Sequence, residues 1–147
     1  DVVKSKLVMF YTNYNRSASK ILYKQNKLSK KNNTKILSNL SETKQLGFET
    51  KKMILNDTFH EYDRILREHW KIKRLRDKKI SNPKIDNMYE FGMKNGATAG
   101  KLIGAGGGGF LLFYTNNKDK LINAFKRKKI QSFDFKISPE GSKILKE

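Results

Sequence analysis

Four consecutive glycines, Gly106 to Gly109, sit between the apolar runs Leu102-Ile103 and Phe110-Leu-Leu-Phe-Tyr114, and they limit what this chain can fold into more than any other stretch. Seven of the ten glycines fall between Gly96 and Gly109. Holding a glycine in fixed structure costs roughly 0.5–1 kcal/mol more than holding an alanine, so such a run implies a need for bare backbone. Two needs fit: positive φ angles that a side chain forbids, and close approach of main-chain N–H groups to an anion such as a phosphate.

Three readings of the loop compete. Gly104-x-Gly106-x-x-Gly109 matches a dinucleotide-binding fingerprint literally, but that motif needs a helix after the last glycine. Phe110-Leu-Leu-Phe-Tyr-Thr115 instead reads as a strand. Gly96-Ala-Thr-Ala-Gly100-Lys101 approaches a nucleotide P-loop, yet it is one residue short and has Leu102 where a magnesium-binding hydroxyl belongs. The third reading is a glycine-rich turn between antiparallel strands. A hairpin needs only one or two glycines, so the excess points to a ligand or to a closely packed backbone partner.

The flanking sequence supplies the elements. Lys6 to Thr12 is a nearly continuous apolar run, suited to a strand inside a sheet. Ser17 stands where it can cap a helix through Ala18, Ile21 and Leu28, with Arg16 at its entrance either facing an anion or holding the turn as an exposed side chain. Ile36 to Leu55 carries a helical apolar period, and Thr58 with Glu61 forms a capping-box pattern for the next helix. On that helix Phe59, Tyr62, Ile65, Leu66, His69, Trp70 and Lys73 share one face, apolar at first and polar at the end. Trp70 and His69 there are open to core packing, and Lys73 to a snorkelling surface position, as well as to ligand contact. Asn82-Pro83 starts another helix; Gly100 to Ile103 and Phe110 to Thr115 are strands on either side of the glycines. Asn117 caps a last helix, and Ser132 to Ile137 alternates with the period of a final strand. The order is β-α-β-β-α-β with extra helices in the first crossover. It predicts an α+β domain, a four-stranded antiparallel sheet with helices on one face in the ferredoxin-like split arrangement.

The segment from Gly96 to Phe110 resembles the C-terminal glycine motif of the GHMP kinases, the superfamily of galactokinase, homoserine, mevalonate and phosphomevalonate kinases. The resemblance extends to Arg16-Ser-Ala-Ser19, His69-Trp70 with Lys73, Ile80-Ser-Asn-Pro-Lys-Ile-Asp86 and Glu140-Gly-Ser-Lys143, nearly the whole chain, and is nearest the bacterial D-glycero-D-manno-heptose 7-phosphate kinases. Asn13, where a glycine is expected, and Arg67, where a histidine is frequent, depart from the pattern. The resemblance implies that residues 1–147 form the C-terminal domain of an ATP- and Mg2+-dependent sugar kinase. Its partner would be an N-terminal domain that carries the principal phosphate loop, the magnesium ligands and the catalytic carboxylate. It implies that Gly104, Ala105, Gly106, Gly107 and Gly108 line a phosphate-facing cleft, the N–H groups of Gly106 to Gly108 forming its wall. Lys101, Arg16, His69 and Lys73 then contact sugar or phosphate. No catalytic residue and no metal ligand is assigned to this chain.

Composition bears on the partners. The net charge is +18, from 26 lysines and 6 arginines against 14 acidic residues. A charge of that size marks many nucleic-acid binders, so a non-catalytic basic binding module, RNA-binding or regulatory, stands as the alternative. The basic residues are nevertheless spread from Lys4 to Lys146 with no nucleic-acid motif, which favours a solvated surface and no specific nucleic-acid partner. With no cysteine and two separated histidines there is no thiolate or histidine metal cluster, and with no signal peptide or membrane span the chain is assigned to the cytoplasm. It begins at Asp1 and is read as a piece of a longer protein.

Overall fold

The computed structural model describes residues 2–14, 17–138, 140, 143 and 144. A short helix α1 (Val2–Lys6) leads into β1 (Leu7–Tyr11). Four helices follow, α2 (Ala18–Lys30), α3 (Thr34–Leu55), α4 (Tyr62–Arg76) and α5 (Pro83–Lys94), then β2 (Ala97–Leu102), β3 (Phe110–Thr115), α6 (Lys118–Arg127) and β4 (Ser132–Phe133). The four strands form one antiparallel sheet in the order β2-β3-β1-β4. This is the split α+β arrangement that the sequence pattern predicts.

One sheet face is aromatic and closed. Val8 and Phe10 of β1 and Leu111 and Phe113 of β3 pack with Ile85 of α5 and with Leu121 and Phe125 of α6, all nearly inaccessible to solvent. Phe10 stacks on Phe125 with ring centroids 3.8 Å apart. Phe113 lies in a slot between two glycines: a Cβ on Gly92 of α5 would stand 2.5 Å from its ring, and one on Gly100 of β2 2.6 Å. The alternate strand residues Leu7, Ala99 and Tyr114 form a second cluster with Leu66 of α4.

Helix α4 decides how the sheet edge is used. β2 is an edge strand, and an uncovered edge presents unpaired carbonyls. Arg67 Nη1 donates to Thr98 O (2.7 Å) and Lys73 Nζ to Leu102 O (2.8 Å), so cationic side chains of α4 satisfy carbonyls of that strand. Trp70, between them, is 3% exposed and belongs to the aromatic core, its ring 6.0 Å from that of Tyr89. α3 packs on the outer side of α4 through Leu46 and Met53 against Ile65 and Ile72.

Several local expectations are corrected. The last strand is two residues long and not six: β4 pairs with β1 only at Met9–Phe133 and Phe10–Ser132, while Phe135 packs into the second cluster and Ile137 is exposed. The Thr58–Glu61 capping box does not form. Thr58 has φ −87° and ψ 49°, away from extended geometry, and Phe59–Glu61 is a 3-10 turn after which α4 begins. Ser17 precedes α2 without a side-chain capping bond. Asn82 and Asn117 do cap, accepting from Ile85 N (3.1 Å) and Lys120 N (2.9 Å).

Candidate functional site

The glycine loop between β2 and β3 is held from three sides. The strands close its base, where Ile103 N donates to Phe110 O (2.8 Å). Gly107 N donates to Ile80 O (2.8 Å) and Gly109 N to Tyr14 O (2.8 Å), tying the loop to the segments before α5 and after β1. Gly109 O in turn accepts from the backbone N–H (2.9 Å) and the hydroxyl (2.8 Å) of Thr12. Gly104, Gly106, Gly107 and Gly109 have φ of 80°, 112°, 79° and 97°, in the region that side chains rarely adopt. Gly108 has no such φ, but a Cβ on it would run into the carbonyl of Tyr14. Of the needs inferred from the run, positive φ is therefore present, and the close approach at Gly108 is to a packed backbone partner, Tyr14.

These anchors decide which donors remain. Among the described residues no group accepts from the N–H of Ala105, Gly106 or Gly108. The reading in which Gly106 to Gly108 all offer N–H groups to a ligand is corrected at Gly107, whose N–H is satisfied by Ile80. Three main-chain donors therefore flank an anchored fourth.

Behind the loop lies a group of cations without carboxylate partners. The Lys73 ammonium donates to Gly104 O (2.6 Å) as well as to Leu102 O, and its side chain is only 7% exposed. Lys101 Nζ lies 2.6 Å from His69 Nδ1. Arg76 donates to Asn39 Oδ1 (2.7 Å) and Thr43 Oγ1 (2.7 Å), and Asn39 Nδ2 donates to Ile72 O (2.7 Å). Among the described residues none of Lys73, Lys101 or Arg76 is ion-paired with an acidic side chain. Burial first, then Lys101 and Arg76, lowers Lys73 from 10.5 to about 8. Burial, then Lys101, Lys73 and Arg76, lowers His69 from 6.5 to about 4. His69 is thus neutral at physiological pH and accepts from the Lys101 ammonium, whose own pKa burial also lowers.

Lys101 and His69 open onto a cavity of about 360 Å³ between α3, α4 and the β2 edge, lined also by Thr43, Gly47, Thr50 and Tyr62. No residue of the glycine loop lines it. Of the residues singled out in the sequence, then, Lys73 reaches the loop's backbone, while Lys101 and His69 pair with each other one strand residue away and face a separate space. Arg16 lies outside the described residues. Sequence reasoning missed Thr12, Tyr14 and Ile80 as loop anchors, because two of them act through backbone carbonyls that carry no residue signature. Asn39 and Arg76 were missed as well. A buried asparagine within the apolar period of α3 is a signal that could have marked the first.

Among the described residues no three His, Cys, Asp or Glu side chains converge where a metal ion would sit, and no helix is long and apolar enough to cross a membrane. The family described as GHMP kinases, C terminal, matches residues 55–131, more than half of the chain. A D-glycero-alpha-D-manno-heptose 7-phosphate kinase of Campylobacter jejuni is 29% identical over 143 residues, 96% of this chain and 42% of that protein. A bifunctional fucokinase/GDP-fucose pyrophosphorylase of Arabidopsis thaliana is 25% identical over 92% of this chain and 13% of its own length. The mevalonate kinase of L. major in complex with R-mevalonate shares the fold with a TM-score of 0.73 over 87% of this chain and 42% of that one, at 16% identity. The Lactococcus lactis galactokinase does so with a TM-score of 0.55 over 87% and 44%, at 12% identity.

Proposed function

Because this chain belongs to the GHMP kinase family, as its C-terminal region, we propose that it is the C-terminal domain of a longer ATP-dependent sugar kinase, acting on D-glycero-D-manno-heptose 7-phosphate or a related phosphorylated sugar. The observation that carries this reading is the anchored loop, with the N–H groups of Ala105, Gly106 and Gly108 free of protein acceptors among the described residues and four glycines at positive φ. Such a surface suits the phosphate chain of ATP. Transfer of the γ-phosphoryl group to a sugar hydroxyl forms one P–O bond and breaks another, and catalysis rests on positioning and on preorganised charge. This chain supplies backbone donors held in place by Ile80, Tyr14 and Thr12, and the Lys73 ammonium bonded to the loop carbonyl at Gly104.

The remaining machinery belongs to the N-terminal domain implied by the family. Kinases of this family use ATP, generally with Mg2+; the described residues here offer no carboxylate set that fits the metal. Use of ATP and phosphorylated sugars supports a cytoplasmic location. The dispersed charge of +18 suits anionic substrates, and any nucleic-acid affinity is of the weak, salt-dependent kind.

The test is kinetic. The full-length protein should release ADP in the presence of D-glycero-D-manno-heptose 7-phosphate, with a higher kcat/KM than for galactose. Equal or better turnover of galactose would remove the heptose assignment, and the absence of ADP release with any sugar would remove the kinase.

A further inference from the structure

The acceptor that anchors the glycine loop is itself held by a carboxylate. Ile80 O, which takes the Gly107 N–H at 2.8 Å, lies in the connection 77–82 between α4 and α5. Ile80 is 1% exposed, and a Cβ on Gly106 would stand 3.0 Å from its Cα and 3.1 Å from its side chain, so the loop lies directly against it. A backbone carbonyl belongs to a planar peptide unit shared with the next residue. The direction of Ile80 O is therefore set by Ser81 as much as by Ile80.

Ser81 is fixed by Asp86. Ser81 Oγ donates to Asp86 Oδ1 (2.7 Å), and Asp86 Oδ2 lies 3.1 Å from Arg74 Nη2. Arg74 rests over Trp70, 5.7 Å from its ring centroid, and Trp70 is part of the core. Asp86 thus joins three pieces of chain: the last turn of α4, the first turn of α5 and the peptide that carries Ile80 O. The other end of the connection is pinned separately. Asp77 Oδ1 accepts from Lys79 N (2.9 Å), Asp77 O accepts from Ile80 N (3.0 Å), and Lys24 of α2 pairs with Asp77 Oδ2 (2.7 Å). A carboxylate in the first turn of a helix stabilises that helix wherever it occurs, and the Arg74 pair by itself would only clasp α4 to α5. The bond to Ser81 is what directs Asp86 at the loop.

We propose that Asp86 is a positioning residue for phosphoryl transfer: through Ser81 it orients the Ile80–Ser81 peptide, whose carbonyl holds Gly107 and so aligns the N–H groups on either side of it. The bracing of the loop stands on the geometry alone. Its effect on turnover rests on the kinase reading.

The experiment uses the full-length protein and two readouts. The first is residue-resolved amide exchange, by NMR of glycine-labelled protein without substrate. Asp86→Ala and Ser81→Ala should each speed exchange at Gly107 about tenfold or more, the factor that losing one charge-assisted hydrogen bond implies, while Gly109, anchored on Tyr14 O, changes less. Ser81→Thr, which keeps the hydroxyl, should exchange as the wild type does. Glu49→Ala breaks another 3.1 Å pair between helices, that with Arg64, outside the connection, and should leave Gly107 unchanged. The second readout is sugar-dependent ADP release. In Asp86→Ala and Ser81→Ala, kcat should fall about tenfold with the KM values for ATP and sugar kept within about threefold, the split expected when alignment in the transition state is lost and ground-state binding is retained. Faster exchange at Gly107 in both variants of a protein whose wild type releases no ADP with any sugar would keep the brace and remove the kinase reading. Unchanged exchange at Gly107 in both variants, or faster exchange with the kcat of an active wild type, would overturn the proposal. Faster exchange in Asp86→Ala but not in Ser81→Ala would overturn it as well, because the cause would then be the α4–α5 clasp and not the link through Ser81.

Discussion

Replacing Lys73 by methionine separates a lysine that holds the glycine loop from one that merely covers apolar surface. Its ammonium makes two bonds, to Leu102 O at 2.8 Å and Gly104 O at 2.6 Å, in a side chain 7% exposed. Charge-assisted hydrogen bonds contribute about 1.5–3 kcal/mol each, so the pair contributes about 3–6 kcal/mol. Against this stands the burial of the charge. The fall of the Lys73 pKa from 10.5 to about 8 corresponds to about 3 kcal/mol, at 1.36 kcal/mol per unit, and methionine removes that cost. The net loss is on the order of 0–3 kcal/mol, a fall in Tm of up to roughly 10 °C for a domain of this size. The loop should loosen beyond the global effect. Amide hydrogen exchange at Ala105 to Gly108 should accelerate more than exchange in β3, and kcat of the full-length enzyme should fall about tenfold or more. Lys71→Met is the control, since Lys71 is 70% exposed and paired only weakly with Glu68 at 3.9 Å. A Lys73→Met protein as stable as the wild type, with unchanged exchange in the loop, would refute the clamp.

Two further outcomes follow from the packing and the electrostatics. Gly92→Ala, which drives a Cβ into the Phe113 ring at 2.5 Å, should destabilise by about 1–3 kcal/mol in chemical unfolding, and Gly92→Ala combined with Phe113→Leu should recover part of that loss. His69 should titrate near 4 by NMR, whereas an unfolded histidine titrates near 6.5. Between those values the unfolded chain binds the extra proton, so stability contributed by neutral His69 is present above pH 6.5 and is lost as pH falls toward 4. Lys101→Gln, which removes the ammonium 2.6 Å from His69 Nδ1, should raise the His69 pKa; an unchanged value would mean that the Lys101 charge does not help set it.

The sheet was legible in the sequence because its inner strands are continuous apolar runs, Leu7 to Tyr11 and Phe110 to Thr115, and the glycines mark the turn between them. The last strand was read too long. Phe133, Phe135 and Ile137 keep a strand's alternation, but pairing with β1 stops at Met9 although Val8 and Leu7 continue that strand, and alternation alone cannot report where a segment leaves its neighbour. The capping box at Thr58 failed for a related reason, since the residue pattern is silent on the 3-10 turn that displaces the start of α4. In the site, the glycines announced the loop and its positive φ angles. They did not announce that Gly107 N would be taken by Ile80 O, a bond between a glycine and a backbone carbonyl 27 residues earlier that no side chain encodes. Lys73 reads by spacing alone more readily as a snorkelling surface residue than as a ligand, because the carbonyls it serves become available only when β2 lies at the sheet edge under α4.

The central claim, that the glycine run serves phosphoryl transfer and not merely a turn, is tested most directly by Gly107→Val in the full-length protein. Gly107 sits at φ 79°, where a β-branched residue is strained, and its N–H is the anchor that aligns the donors on either side. Loss of one preorganised donor typically costs about 10²–10³ in kcat, and misaligning several should cost at least that. The strands on both sides retain Leu102, Leu111 and Phe113 in the core, so the fold should survive with a loss of roughly 1–3 kcal/mol. The account predicts sugar-dependent ADP release reduced at least a hundredfold in a protein that remains folded by circular dichroism. Near-normal kcat/KM in that folded variant would contradict it and make the run a structural turn.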